Sequence, residues 1–109
     1  MLNKSETTQV FDNTIKRFGT SHFTFLLGNR GVEEPGLCVI LAKKNIKRAP
    51  KRNLCRRLLK EDFRLHKDFF SNKGLVVLGK KPAAMASKEE LWESIRKFHV
   101  FLHESSSNH

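Results

Sequence analysis

The sequence predicts an α+β fold, a single-domain α/β sandwich over residues 1–109 in which a mixed sheet of about four strands is packed by helices. Three observations carry this. Two apolar runs, 37–42 and 75–79, flank a long amphipathic helix, and strand–helix–strand order makes the two strands parallel. The segment 22–28, HFTFLLG, alternates Phe23, Phe25 and Leu27 against Thr24 and Leu26, the period of a strand with one better-covered face. With 109 residues, the chain has the bulk for one modest core and no more.

Residues 5–16 read as a first helix, with Ser5 or Thr7 as cap and Val10, Phe11 and Ile15 as its apolar stripe. Lys16–Ser21 reads as a connection containing Gly19, and 29–36, NRGVEEPG, as a loop. The continuous apolar run 37–42, LCVILA, is what an interior strand covered on both faces requires. A basic helix follows to about Phe70, with Gly74 placed for its stop. The segment 75–81, LVVLGKK, is a second buried strand ending in paired lysines. Ser87–Glu90 is a capping box that opens a last helix with Leu91, Trp92, Ile95, Phe98 and Leu102 at helical spacing. Trp92 reads as core, and the ordered part is expected to span about 5–103, with a disordered tail at 104–109.

The stretch Lys43–Lys67 dominates the chemistry. It holds 11 of the 21 Lys and Arg residues against two acids, in a chain of formal net charge +10. On a helical projection Leu54, Cys55, Leu58, Leu65 and Phe69 share one arc, extended by Leu59, Phe63 and Phe70. Arg56, Arg57, Lys60, Arg64 and Lys67 occupy the opposite arc with Asn53, while Arg48 and Arg52 sit at the N-terminal edge and Pro50 suits the first turn. Solvated helix faces interleave both signs, because like charges at i,i+4 repel. Arg52, Arg56, Lys60 and Arg64 form such a series in one sign, which points to a polyanion partner rather than to solubility alone.

The run Lys43-Lys44, Ala49, Arg52-Asn53, Arg56-Arg57-Leu58 and Glu61-Asp62-Phe63-Arg64 resembles the signature of the bacterial ribonuclease P protein subunit. The resemblance covers most of residues 5–103 and is strongest from Gly36 to Arg64. Leu54 departs from it where a third cation is usual, as do Cys55, Pro50 and Thr7, the last standing where an aromatic is common. The resemblance implies a left-handed crossover between the parallel strands, against the right-handed default. It also implies an accessory role in a ribonucleoprotein endoribonuclease that removes the 5′ leader from precursor tRNA, with catalysis by the RNA subunit and Mg²⁺ held mainly there. On that reading Lys43, Lys44, Arg48, Lys51, Arg52, Asn53, Arg56, Arg57, Lys60 and Arg64 grip ribonuclease P RNA. Phe11, Phe23, Phe25, Lys80 and Lys81 line a cleft for the single-stranded leader, by stacking and a cationic track. The alternative is a stand-alone RNA-binding or ribosome-associated module.

Other chemistry finds little support. No carboxylates cluster for Mg²⁺, no Gly-rich loop cradles phosphate, and no nucleophile has a recognisable partner, so no catalytic residue is assigned. His99 and His103 have chelating i,i+4 spacing but lack a third ligand nearby in sequence, so no metal site is assigned either. Cys38 and Cys55 form no Cys-x-x-Cys pair and read as buried free thiols of a reducing cytoplasm. No apolar run reaches the roughly 18 residues of a membrane span, and the polar N-terminus has no signal-peptide pattern. A cytoplasmic protein with no membrane partner is expected, and DNA is not, since neither a recognition helix with its supporting helix nor a dimer surface is evident.

Overall fold

The computed structural model describes residues 4–30 and 32–107. Three helices, α1 (Lys4–Asp12), α2 (Ala49–Leu65) and α3 (Lys88–Ser107), pack on four strands, β1 (Thr14–Gly19), β2 (Phe23–Asn29), β3 (Gly36–Ile40) and β4 (Lys73–Gly79). The strand order is β1-β2-β4-β3, antiparallel except for the parallel pair β3 and β4 that α2 connects. The fold class and the parallel pairing follow the expectation from sequence.

The sheet separates two layers. One face carries Phe23, Phe25, Leu27, Leu37, Val39, Leu75 and Val77, buried beneath α2 and α3 through Cys55, Leu58, Leu59, Phe63, Leu91, Ile95, Phe98 and Leu102. On the other face Leu26 and Val76 meet Val10 of α1. Helix α1 can lie this close because position 28 is glycine: a Cβ there would stand 3.1 Å from the Asn13 carbonyl oxygen and 3.2 Å from that of Val10. Helix α1 therefore covers one end of its face and leaves the other end open.

Several sequence expectations are corrected. The first helix ends at Asp12, not 16, and the expected connection is strand β1. Asn13 Nδ2 and Thr14 Oγ1 donate to the carbonyls of Gln9 and Val10, which closes the helix. Thr14–Gly19 then alternates half-buried and exposed residues, and Phe18 stacks on Phe101 at 4.7 Å. Of the expected apolar stripe, Val10 alone is buried, and Phe11 and Ile15 are exposed.

Strand β3 lies at the sheet edge, with Ile40 exposed, so its apolar run does not mark an interior strand. Helix α2 stops at Leu65, which faces solvent together with Phe69. A 3-10 turn, Lys67–Phe70, then swings Phe70 inward to stack on Phe63 at 5.1 Å. The positive φ that ends this connection, 65°, belongs to Asn72, while Gly74 is already inside β4. Helix α3 continues through Ser107, past the expected limit near 103, and the last two residues of the expected tail lie outside the described residues. Its capping box forms as expected: Ser87 N donates to Glu90 Oε1 at 2.9 Å and Glu90 N to Ser87 Oγ at 3.1 Å.

Candidate nucleic-acid interface

Helix α2 is fixed on both sides before it can present anything. Cys55, Leu58, Leu59 and Phe63 are buried against the sheet, so the opposite arc must face out. At its N-terminus the chain enters through Arg48 in extended geometry and Pro50 occupies the first turn. The preceding loop is pinned by fully buried Ile46 and by Asn45, whose Nδ2 donates to the Gly79 carbonyl at 3.1 Å. Arg52 Nη1 completes the anchorage by donating to the carbonyls of Ile46 and Lys47, both at 2.8 Å. Lys43, Lys44 and Arg48 project from this braced loop into solvent.

The ten residues expected to grip RNA thus divide in three. Lys43, Lys44, Arg48, Asn53, Arg57 and Lys60 are exposed, and Arg56 is half-buried beside them. Among the described residues, none of these cations is in an ion pair with an acid. Arg52 and Lys51 are committed internally, since Lys51 Nζ donates to the Ala86 carbonyl at 2.5 Å and ties α2 to the segment before α3. Arg64 pairs with Glu61 at 2.6 Å, which corrects the expectation that the i,i+4 series has no acid to relieve it. Asn53, Arg56, Arg57, Lys60, Glu61 and Arg64 line an open groove of about 410 Å³ along the helix. Four cations against one acid, in a groove lined by charged and amide side chains, suit a phosphate chain.

The expected leader cleft needs more correction. Phe23 and Phe25 are fully buried, in contact with each other edge-on, and Phe25 stacks on Phe98 at 4.2 Å. They point to the α2/α3 side of the sheet and offer no ring face to a base. Lys80 is also withdrawn: its Nζ donates to the Thr20 carbonyl at 2.6 Å and braces the β1–β2 turn. Lys81 is exposed at the start of the 3-10 turn Lys81–Met85. Phe11, 44% exposed on α1, remains as an accessible aromatic.

Strand register shows what sequence reasoning missed. Thr24, Leu78 and Ile40 are aligned across β2, β4 and β3, with Leu26, Val76 and Cys38 one step along. Leu26 and Val76 are buried under α1, whereas Thr24, Leu78 and Cys38 are half-buried and Ile40 is exposed. The alternation of β2 carries this signal, since it sets Thr24 and Leu26 on the face opposite Phe23, Phe25 and Leu27. Cys55 sits inside the opposite layer, and burial pushes its thiol above the ordinary range despite nearby Lys51 and Arg56.

Two further points bear on chemistry. Asp62, His66 and His99 converge, whereas His103 turns toward Phe69 instead of pairing with His99. Two imidazoles and one carboxylate are a poor set for Mg²⁺, which prefers oxygen ligands, so this cluster does not fit the metal implied for the reaction. Among the described residues, no helix is long and apolar enough to cross a membrane.

Comparison with known proteins gives one answer. The family model described as Ribonuclease P matches residues 1–102. The ribonuclease P protein component of Vibrio cholerae is 38% identical over 79 residues, covering 72% of this chain and 67% of the relative. That of Vibrio campbellii is 40% identical over 81 residues, covering 74% and 69%. The solved structure of the Staphylococcus aureus RNase P protein superimposes with a TM-score of 0.77 at 18% identity, covering 89% of this chain and 88% of that one. The Thermotoga maritima RNase P protein does so with a TM-score of 0.72 at 18% identity, covering 90% and 92%. The structural likeness establishes the fold, and the sequence match, which runs through the cationic groove and the strands behind it, goes further: this chain belongs to the bacterial ribonuclease P protein family.

Proposed function

We propose that the chain is the protein subunit of a ribonuclease P ribonucleoprotein, binding the catalytic RNA and the 5′ leader of precursor tRNA while the RNA and its Mg²⁺ cleave. The observation that carries this reading is the outward arc of α2, where Arg56, Arg57 and Lys60 stand unpaired beside Asn53 on a helix whose other side is locked into the core. Holding like charges together costs stability in the free protein, and a phosphate backbone removes that cost. Lys43, Lys44 and Arg48 extend the same surface from the braced loop. Family membership supplies the identity of the RNA.

The open end of the α1 face is the surface best suited to the leader. It offers Phe11 and the row Thr24–Leu78–Ile40, an apolar strip on which unpaired bases can stack, at about 1–3 kcal/mol per base where an aromatic takes part. On this reading the protein's part is to bind and align, and the RNA with its Mg²⁺ supplies the chemistry of cleavage.

The test is precursor-tRNA cleavage by a particle reconstituted with Arg56, Arg57 and Lys60 all changed to Ala. Stimulation by the protein at low Mg²⁺ is expected to be lost, while cleavage by the RNA alone at high Mg²⁺ is unchanged. A triple variant that stimulates like the parent would remove the arc from the interface.

A further inference from the structure

Asp62 and His66 stand one turn apart at the end of α2, and His99 faces them from α3. One nitrogen from each imidazole and one carboxylate oxygen all lie within 4.8 Å of one another. His99 Nε2 donates to Asp62 Oδ2 at 2.6 Å, and both side chains are largely buried. That bond alone would clamp the two helices. His66 is superfluous to it: its Nδ1 lies 2.8 Å from the Asp62 backbone carbonyl and 3.5 Å from Oδ1, at ion-pair distance from the carboxylate. Its ring nevertheless lies against that of His99, with centroids 4.2 Å apart. A clamp needs two groups, and the structure assembles three.

We propose that Asp62, His66 and His99 form a site for a transition-metal dication, Zn²⁺ by preference, that bridges α2 and α3. Two imidazoles and a carboxylate are borderline donors of the kind Zn²⁺ takes at about 2.0–2.2 Å in tetrahedral geometry. Closing the triad around an ion exchanges the His99–Asp62 hydrogen bond and the His66 contact with the Asp62 carbonyl for three metal–ligand bonds, with the proton of each ligating imidazole nitrogen released or moved to the other ring nitrogen. His66, with a side chain 42% exposed, marks the solvent side, where water completes the fourth position. Histidine pairs at i,i+4 are visible in sequence, but the partner of His99 is supplied by the fold and not by His103. The site holds the far end of the RNA-facing helix, yet it stands independently of the proposed RNA contacts.

Titrating Zn²⁺ into the metal-free full-length chain, in competition with a chromophoric chelator, tests this directly. One site per chain is expected, weakened about tenfold or more in His66→Gln and in Asp62→Asn, since loss of a direct ligand must cost at least what loss of its hydrogen-bonded support costs. His103→Gln should bind like the parent. His66 is exposed and its replacement leaves the His99–Asp62 clamp intact, so that variant separates ligand loss from misfolding. Zn²⁺ should raise the melting temperature of the parent and not of His66→Gln. Equal Zn²⁺ affinity in the parent and His66→Gln, or binding abolished by His103→Gln instead, would overturn the assignment.

Discussion

Arg52 and Arg57 lie on the same helix and carry the same charge, yet their surroundings give them different tasks. Arg52 spends its guanidinium on two backbone carbonyls of the loop that presents Lys43 and Lys44. Arg57 is exposed and has no acid partner. Charge-assisted hydrogen bonds of the first kind contribute about 1.5–3 kcal/mol, whereas an exposed substitution changes stability by about 0.5 kcal/mol or less. Arg52→Ala should therefore lower the denaturation midpoint by an amount near the lower bound, since water can reach one of its carbonyls. Arg57→Ala should melt like the parent and lose RNA affinity. Urea titrations beside filter binding would decide this, and a fully stable Arg52→Ala would show that the loop does not depend on the side chain. In the sequence both are cations expected to grip RNA, Arg52 at the N-terminal edge of the helix and Arg57 on its polar arc. Only the chain's return through Ile46 decides which is spent internally.

At the scale of elements, legibility follows from how local the determinants are. The basic helix and the capping box depend on residues a few positions apart and both form, though the helix ends at Leu65, and the parallel pairing of β3 with β4 follows from strand–helix–strand order. The edge position of β3 and the side of the sheet taken by Phe23 and Phe25 depend on pairing partners tens of residues away. An apolar run cannot say whether its strand is central or peripheral, and alternation cannot say which face is the cleft. The capping box also gives α3 a pH signature. The Ser87 backbone N–H, then its hydroxyl, hold the Glu90 carboxyl below its ordinary value of 4.5. A carboxylate depressed in the folded state adds stability above its unfolded pKa and loses it as pH falls through the folded one. The parent should thus be more stable than Glu90→Gln at neutral pH, with the gap closing as pH falls below 4.5 and through the depressed folded-state value. Thermal melts across that range would show it, and a gap independent of pH would mean the box acts by shape alone.

For the whole molecule, a net charge of +10 overstates what a nucleic acid can meet. Nine cations were expected on the RNA-gripping surface from sequence, but Lys51 and Arg52 are bonded to backbone carbonyls and Arg64 to Glu61. Six remain: Lys43, Lys44, Arg48, Arg56, Arg57 and Lys60. Each phosphate neutralised releases a counterion, and log K falls against log salt by about 0.7–0.9 per contact. Six contacts give a slope of about −4 to −5, and nine would give about −6 to −8. Measuring affinity for the RNA subunit across a salt series therefore counts the cations in use. A slope in the first range supports the internal bonds surviving in the complex. One in the second means that RNA displaces them, in which case the stability cost of Arg52→Ala should vanish once RNA is bound. A slope near −1 would contradict the α2 surface altogether, because no arrangement of one or two phosphate contacts needs six unpaired cations held on one braced helix and its loop.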